Sequence, residues 1–85
     1  MHTVTLLEQA TALARQAGYT IRQEWLGGNG GACQIKGRKF LFLDVNAGPR
    51  EQLEQVLEAL RLDPEVFNLP MPKALREAIG VRKSA

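Results

Sequence analysis

The chain has 85 residues, enough for one domain over 1–85, and its 45% hydrophobic and 24% charged content is that of an ordinary globular protein. Lys and Arg number 11 against 9 acidic residues, and the resulting net charge of +2 is too mild to argue for nucleic acid by itself. The single cysteine, Cys33, rules out a disulfide within the chain, and no apolar run approaches the roughly 18 residues of a membrane span; with no secretory signal in view, a cytoplasmic protein with no membrane partner is expected.

Thr5-Leu6-Leu7-Glu8 has the form of a capping box, and Leu6, Ala10, Leu13, Ala14 and Ala17 recur on one helical face before Gly18. The spacing predicts a helix over 5–17. Tyr19 to Leu26 then alternates with a period of two, as a strand does. Gly27-Gly28-Asn29-Gly30-Gly31 interrupts it, and two further strands are expected over 32–36 and 39–45. Pro49 suits the first position of a helix over 49–61, whose apolar stripe is Leu53, Val56, Leu57 and Leu60. Asp63-Pro64 and Leu69-Pro70-Met71-Pro72 read as breakers, Lys73 to Ile79 as a short last helix, and residues 81–85 as a frayed tail.

The order is α-β-β-β-α-α, and the economical α+β arrangement is a three-stranded antiparallel meander with two helices packed on one face and a short C-terminal helix. A two-residue turn at Gly37-Arg38 would pair Ile35 with Phe40 and Cys33 with Phe42; a symmetric glycine loop would pair Trp25 with Cys33. One face then gathers Tyr19, Ile21, Trp25, Cys33, Ile35, Phe40 and Phe42 and is expected to meet the helices. The other carries Arg22, Glu24, Gln34, Lys36 and Lys39 together with Leu26, Ala32, Leu41, Leu43 and Val45.

No catalytic or metal-ligand constellation stands out. His2 and Cys33 are the only imidazole and thiol, too few for a zinc site without carboxylates. Cys33 reads as a small core residue beside Trp25 and Phe42. Glu24 and Asp44 fall on opposite faces, and Asp44, before a turn, reads as the acceptor of an Asx-type bond from the Asn46–Gly48 backbone. The glycine loop lacks the Gly-Lys-Ser/Thr and the following helix of a P-loop, so hairpin flexibility is its first reading and a small-ligand site at Gly28, Asn29 and Gly30 its second.

Three resemblances follow from these residues. The order α-β-β-β-α resembles that of double-stranded RNA-binding domains, but Pro49-Arg50-Glu51-Gln52-Leu53-Glu54 is acidic where those domains place lysines. The run Lys36-Gly-Arg-Lys-Phe-Leu-Phe-Leu-Asp-Val-Asn, with the helix after it, resembles the strand-to-active-helix segment of small bacterial zinc peptidases. Val56-Leu57-Glu58-Ala59-Leu60 lacks both histidines of that motif, so no role transfers. The pattern Gly-Gly-x-Cys-x-Ile-Lys-Gly-Arg-Lys is similar to that of a type of small bacterial protein of unassigned role.

The expected function is a non-enzymatic interaction module without a cofactor, using Leu26, Leu41, Leu43 and Val45 for a protein partner or for self-association. An apolar third strand at a sheet edge could also pair with its twin. The alternative is RNA or DNA binding through Arg22, Lys36, Arg38 and Lys39.

Overall fold

The computed structural model describes residues 2–25 and 30–80; the expected tail at 81–85 lies outside them. In chain order the elements are α1 (Thr3–Gln16), β1 (Tyr19–Glu24), β2 (Gly31–Ile35), β3 (Arg38–Asp44), α2 (Pro49–Arg61), the 3-10 helix η1 (Pro64–Asn68) and α3 (Lys73–Gly80). The fold is α+β, with α1 and α2 on one face of a three-stranded sheet.

The sheet is not an antiparallel meander. Its order is β1-β3-β2, with β1 parallel and β2 antiparallel to β3. The physical reason lies in β3, which is apolar on both faces through Phe40-Leu41-Phe42-Leu43. A central strand has both edges paired, so the most apolar strand is sheltered there while β1 and β2 take the edges. The expected pairing of Trp25 with Cys33 therefore does not form, and β3 offers no free edge to a twin. Glu24, the end of β1, and Gly31, the start of β2, therefore lie on opposite sides of β3, about 10 Å apart for two strand spacings.

The β2–β3 turn falls at Lys36-Gly37, one residue earlier than expected. Both residues have positive φ, 53° and 81°, the signature of a type I′ turn, whose twist matches that of the flanking strands. Ile35 thus pairs with Arg38, Cys33 with Phe40 and Gly31 with Phe42. Relative to the expected register this is a slip of two, so the residues of β2 and β3 keep their shared faces.

On β2 and β3 the buried face is the reverse of the expectation, while Tyr19 and Ile21 of β1 pack against the core as expected. In the parallel register Tyr19 pairs with Lys39, Ile21 with Leu41 and Gln23 with Leu43. Thr20, Arg22 and Glu24 consequently share a face with Phe40 and Phe42. Burying that face would bury two charges, whereas Ile21, Leu41 and Leu43 form an uncharged row. Leu41 and Leu43 are 0% and 1% exposed and join Ala10, Leu13 and Ala14 of α1 and Leu53, Val56, Leu57 and Leu60 of α2 in one core.

Two side-chain connections fix α2 and α3, while α1 starts without a side-chain cap. α1 begins at Thr3 with His2 as its N-cap, so Thr5 and Glu8 lie inside the helix and do not form its cap. The Gln52 amide donates to Asp44 O (2.9 Å) and Ala47 O (3.3 Å), tying the start of α2 to the end of β3. The Arg61 guanidinium donates to Ile79 O (2.9 Å) and Ala78 O (3.1 Å), carbonyls of the last turn of α3.

Candidate functional site

With α1 and α2 on one side, the other side of the sheet is open among the described residues. β3 contributes Arg38, Phe40 and Phe42 to it, β2 contributes Cys33 and Ile35, and β1 contributes Thr20 and Arg22. The Phe40 and Phe42 rings stack with centroids 5.9 Å apart and planes 19° from parallel. Both are only partly buried, Ile35 is 45% exposed, and Cys33 is exposed. Trp25, just past the end of β1, is 76% exposed. Phe40 and Phe42, expected in the core, are thus surface chemistry of the sheet, Cys33 is a surface thiol, and of the expected aromatic face Tyr19 packs against the core.

The residues singled out from sequence are placed differently from one another. Leu41 and Leu43 are core under the helices and cannot serve as an interaction surface. Val45 is partly exposed, at 39%, and Leu26 lies outside the described residues. Arg22 and Arg38 flank the phenylalanine pair on the open face, with Arg22 held by Glu24 at 2.8 Å, and Lys36 is exposed in the turn. Lys39 does not belong with them, because it points to the helix side. Gly28 and Asn29 lie outside the described residues. Gly30 is packed closely: a Cβ there would stand 2.6 Å from Gln55 Oε1 and 2.7 Å from Phe42 O. Among the described residues, no three His, Cys, Asp or Glu side chains gather in a metal-holding group. Glu24 and Asp44, expected on opposite faces, are register partners in the parallel pair. Asp44 Oδ1 accepts from Asn46 N at 2.9 Å, the Asx bond expected of it.

The fate of Lys39 exposes a polar clasp that the sequence reading missed. Its Nζ lies 2.9 Å from Asp63 Oδ2, donates to Ala17 O at 2.8 Å, and sits 4.6 Å from the centre of the Tyr19 ring. Tyr19 donates its hydroxyl to the same Asp63 Oδ2 at 2.9 Å, and Asp63 Oδ1 accepts from Glu65 N at 3.0 Å as the N-cap of η1. Burial would raise the Asp63 pKa, but the bonds from Lys39, Tyr19 and Glu65 N outweigh it and hold the carboxyl below its ordinary value. Burial, and then the bond to Asp63, raise the Tyr19 pKa; the Asp63 bond raises that of Lys39 against its partial burial. The clasp joins the end of α1, two strands and η1, a structural role. Asp63-Pro64 carried the signal, an N-cap followed by Pro at the first helical position.

β2 forms the second unusual surface. All its residues but Gly31 are exposed, on both faces. α2 approaches both β3 and β2 but leaves Ala32 and Gln34 of β2 exposed, and a groove runs between the helix and that strand. One stretch, about 550 Å³, reaches from the clasp along Ala32 and Gln34 to Ala59 and Leu62. The next, about 450 Å³, continues past Glu54 and Glu58 to Gly30. Leu62, on its rim, is 76% exposed.

No described helix is long and apolar enough to cross a membrane. No protein-family model matches the chain, and no curated protein and no solved structure matches it.

Proposed function

We propose that this chain is a non-enzymatic cytoplasmic interaction module that docks a protein partner on the open face of its sheet. The observation that carries this reading is the Phe40–Phe42 pair, stacked at 5.9 Å on the central strand and only partly buried. Ile35, 45% exposed, extends the apolar surface beyond it. Contiguous apolar surface rimmed by polar groups marks an interaction site, and aromatic anchors contribute most at its centre. Here Arg22, Thr20 and Arg38 form that rim.

The test is a photo-crosslinking residue placed at position 42 and expressed in the source cells. A discrete protein adduct is expected at 42, with none from the same probe at exposed Glu77 on α3. Equal yields at the two positions would contradict the reading.

A second reading has one observation in its favour. Arg22 and Arg38 beside two parallel rings are the components of a single-strand nucleic-acid platform, on which bases stack while cations meet phosphates. It predicts adducts with RNA or DNA at position 42, and an affinity for an oligonucleotide that falls steeply with salt.

A further inference from the structure

We propose that the free edge of β2 pairs antiparallel with the β2 edge of a second copy of this chain, with Cys33 on the two-fold axis. The proposal extends the interaction reading to a second surface and names its occupant.

The two edges of the sheet differ in chemistry. β1 carries Arg22 and Glu24, the charges with which proteins protect an edge from association. β2 reads Gly-Ala-Cys-Gln-Ile, with no charge and no proline, and every residue from Ala32 to Ile35 is exposed. Such an edge is a template for another strand.

The hairpin fixes which groups are available. A two-residue turn makes Ile35 and Arg38 a mutually hydrogen-bonded pair, so by alternation Cys33 and Gly31 also bond to β3. Ala32 and Gln34 are left with their N–H and C=O directed away from the sheet. Cys33 is the midpoint of β2, so only an axis through Cys33 pairs the strand over its whole length. In that register Ala32 exchanges hydrogen bonds with Gln34 of the partner subunit, and Gln34 with the partner's Ala32.

Three further features of the chain fit a second copy. Nothing lies within 4 Å of a Cβ built at Gly31, and the partner's Ile35 would stand opposite, beside Phe42. The partner's Lys36 would arrive opposite Gly30, at the end of the groove lined by Glu54 and Glu58. The axis repeats that complementary contact, base against acid, at both ends of the strand pair. Both helical layers would lie on one side and the two open faces would join on the other.

The test combines mass and thiol chemistry on the full chain. Sedimentation equilibrium is expected to give a dimer that Cys33→Ser retains. The two Cys33 residues form a non-hydrogen-bonded pair, with Cα atoms about 4.5 Å apart, inside the range that a disulfide spans. Added dipyridyl disulfide would take the two electrons as two thiols lose their protons and join. Cross-linking through Cys33 should outpace that of Cys33→Ser/Glu77→Cys by on the order of a hundredfold, as expected of a reaction within a complex.

Gln34→Pro removes only an outward N–H and is expected to give a folded monomer. Should that variant fail to fold, Cys33→Lys sets two like charges on the axis and must also give a monomer. A wild-type monomer at high concentration, equal cross-linking from the two cysteine positions, or a folded Cys33→Lys dimer would overturn the proposal. An adduct at position 42 to a protein other than this chain is independent of these results, and its mass tells it from an adduct to the second copy, so the failure of one surface is distinguishable from that of the other.

Discussion

Leu41 and Phe42 are neighbours on β3 with opposite assignments, and replacing each with alanine separates core from surface. Leu41 is 0% exposed and packs in the layer between sheet and helices. Leu41→Ala should cost about 2–5 kcal/mol from lost transfer energy and an unfilled cavity. At about 4–8 °C per kcal/mol for a domain of this size, Tm falls by about 8–40 °C, the free-energy loss being a large part of the total stability. Phe42 is only partly buried, so Phe42→Ala loses partial burial and the ring contact with Phe40, about 1–2 kcal/mol. A fully buried phenylalanine would cost about 3–5 kcal/mol. Urea unfolding followed by far-UV circular dichroism at low protein concentration measures both, with m values unchanged from wild type. Trp25 fluorescence is a poor probe, because that side chain is already 76% exposed. A Phe42→Ala cost equal to that of Leu41→Ala would place the phenylalanine row in the core and refute the assignment of faces.

The clasp and the glycine packing make two further predictions. Asp63→Asn should destabilise by about 1.5–3 kcal/mol at neutral pH, since it removes the charged acceptor shared by Lys39 and Tyr19. Asp63 titrates below its ordinary value when folded, so its contribution is present above about pH 4 and is lost as pH falls through the folded pKa. The gap between wild type and Asp63→Asn should therefore close on acidification; a gap constant down to pH 2 would contradict the clasp. The raised pKa values of Tyr19 and Lys39 act at the other end, their contributions being complete below about pH 10 and lost as pH rises through the folded values. Gly30→Ala should cost about 1–3 kcal/mol in thermal unfolding, because the new methyl group meets backbone at Phe42 O as well as the Gln55 side chain; a neutral result would show that this approach is not tight.

Local signals were legible and long-range pairing was not. Pro49 and the Leu53–Leu60 stripe define α2 at the observed Pro49–Arg61, and Asp44 makes its Asx bond. These features depend on residues within a few positions of one another. The partner of β1 depends on the competition among three strands for the sheltered centre, and adjacency in sequence favours the hairpin that does not form. Period-two alternation reveals two apolar rows on β3 but not which of them faces the helices. That choice follows only once the parallel register sets Arg22 and Glu24 beside the phenylalanines. The same error misplaced Cys33, Phe42 and Leu41 together, because one wrong strand partner reverses which row of β3, and of β2 beside it, meets the helices, while Tyr19 and Ile21 keep the place expected of them.

The open face of the sheet as a binding surface is tested most directly by thiol footprinting in the source cells. Thr20→Cys in a Cys33→Ser background places a reporter opposite Phe40 on that face, and Glu77→Cys in the same background places one on α3. Alkylation at position 20, relative to position 77, should be slower in cells than in the dilute purified protein by about tenfold or more, as expected for a residue held under a partner. The same ratio in cells and in purified protein would mean that nothing covers the face and would contradict the account.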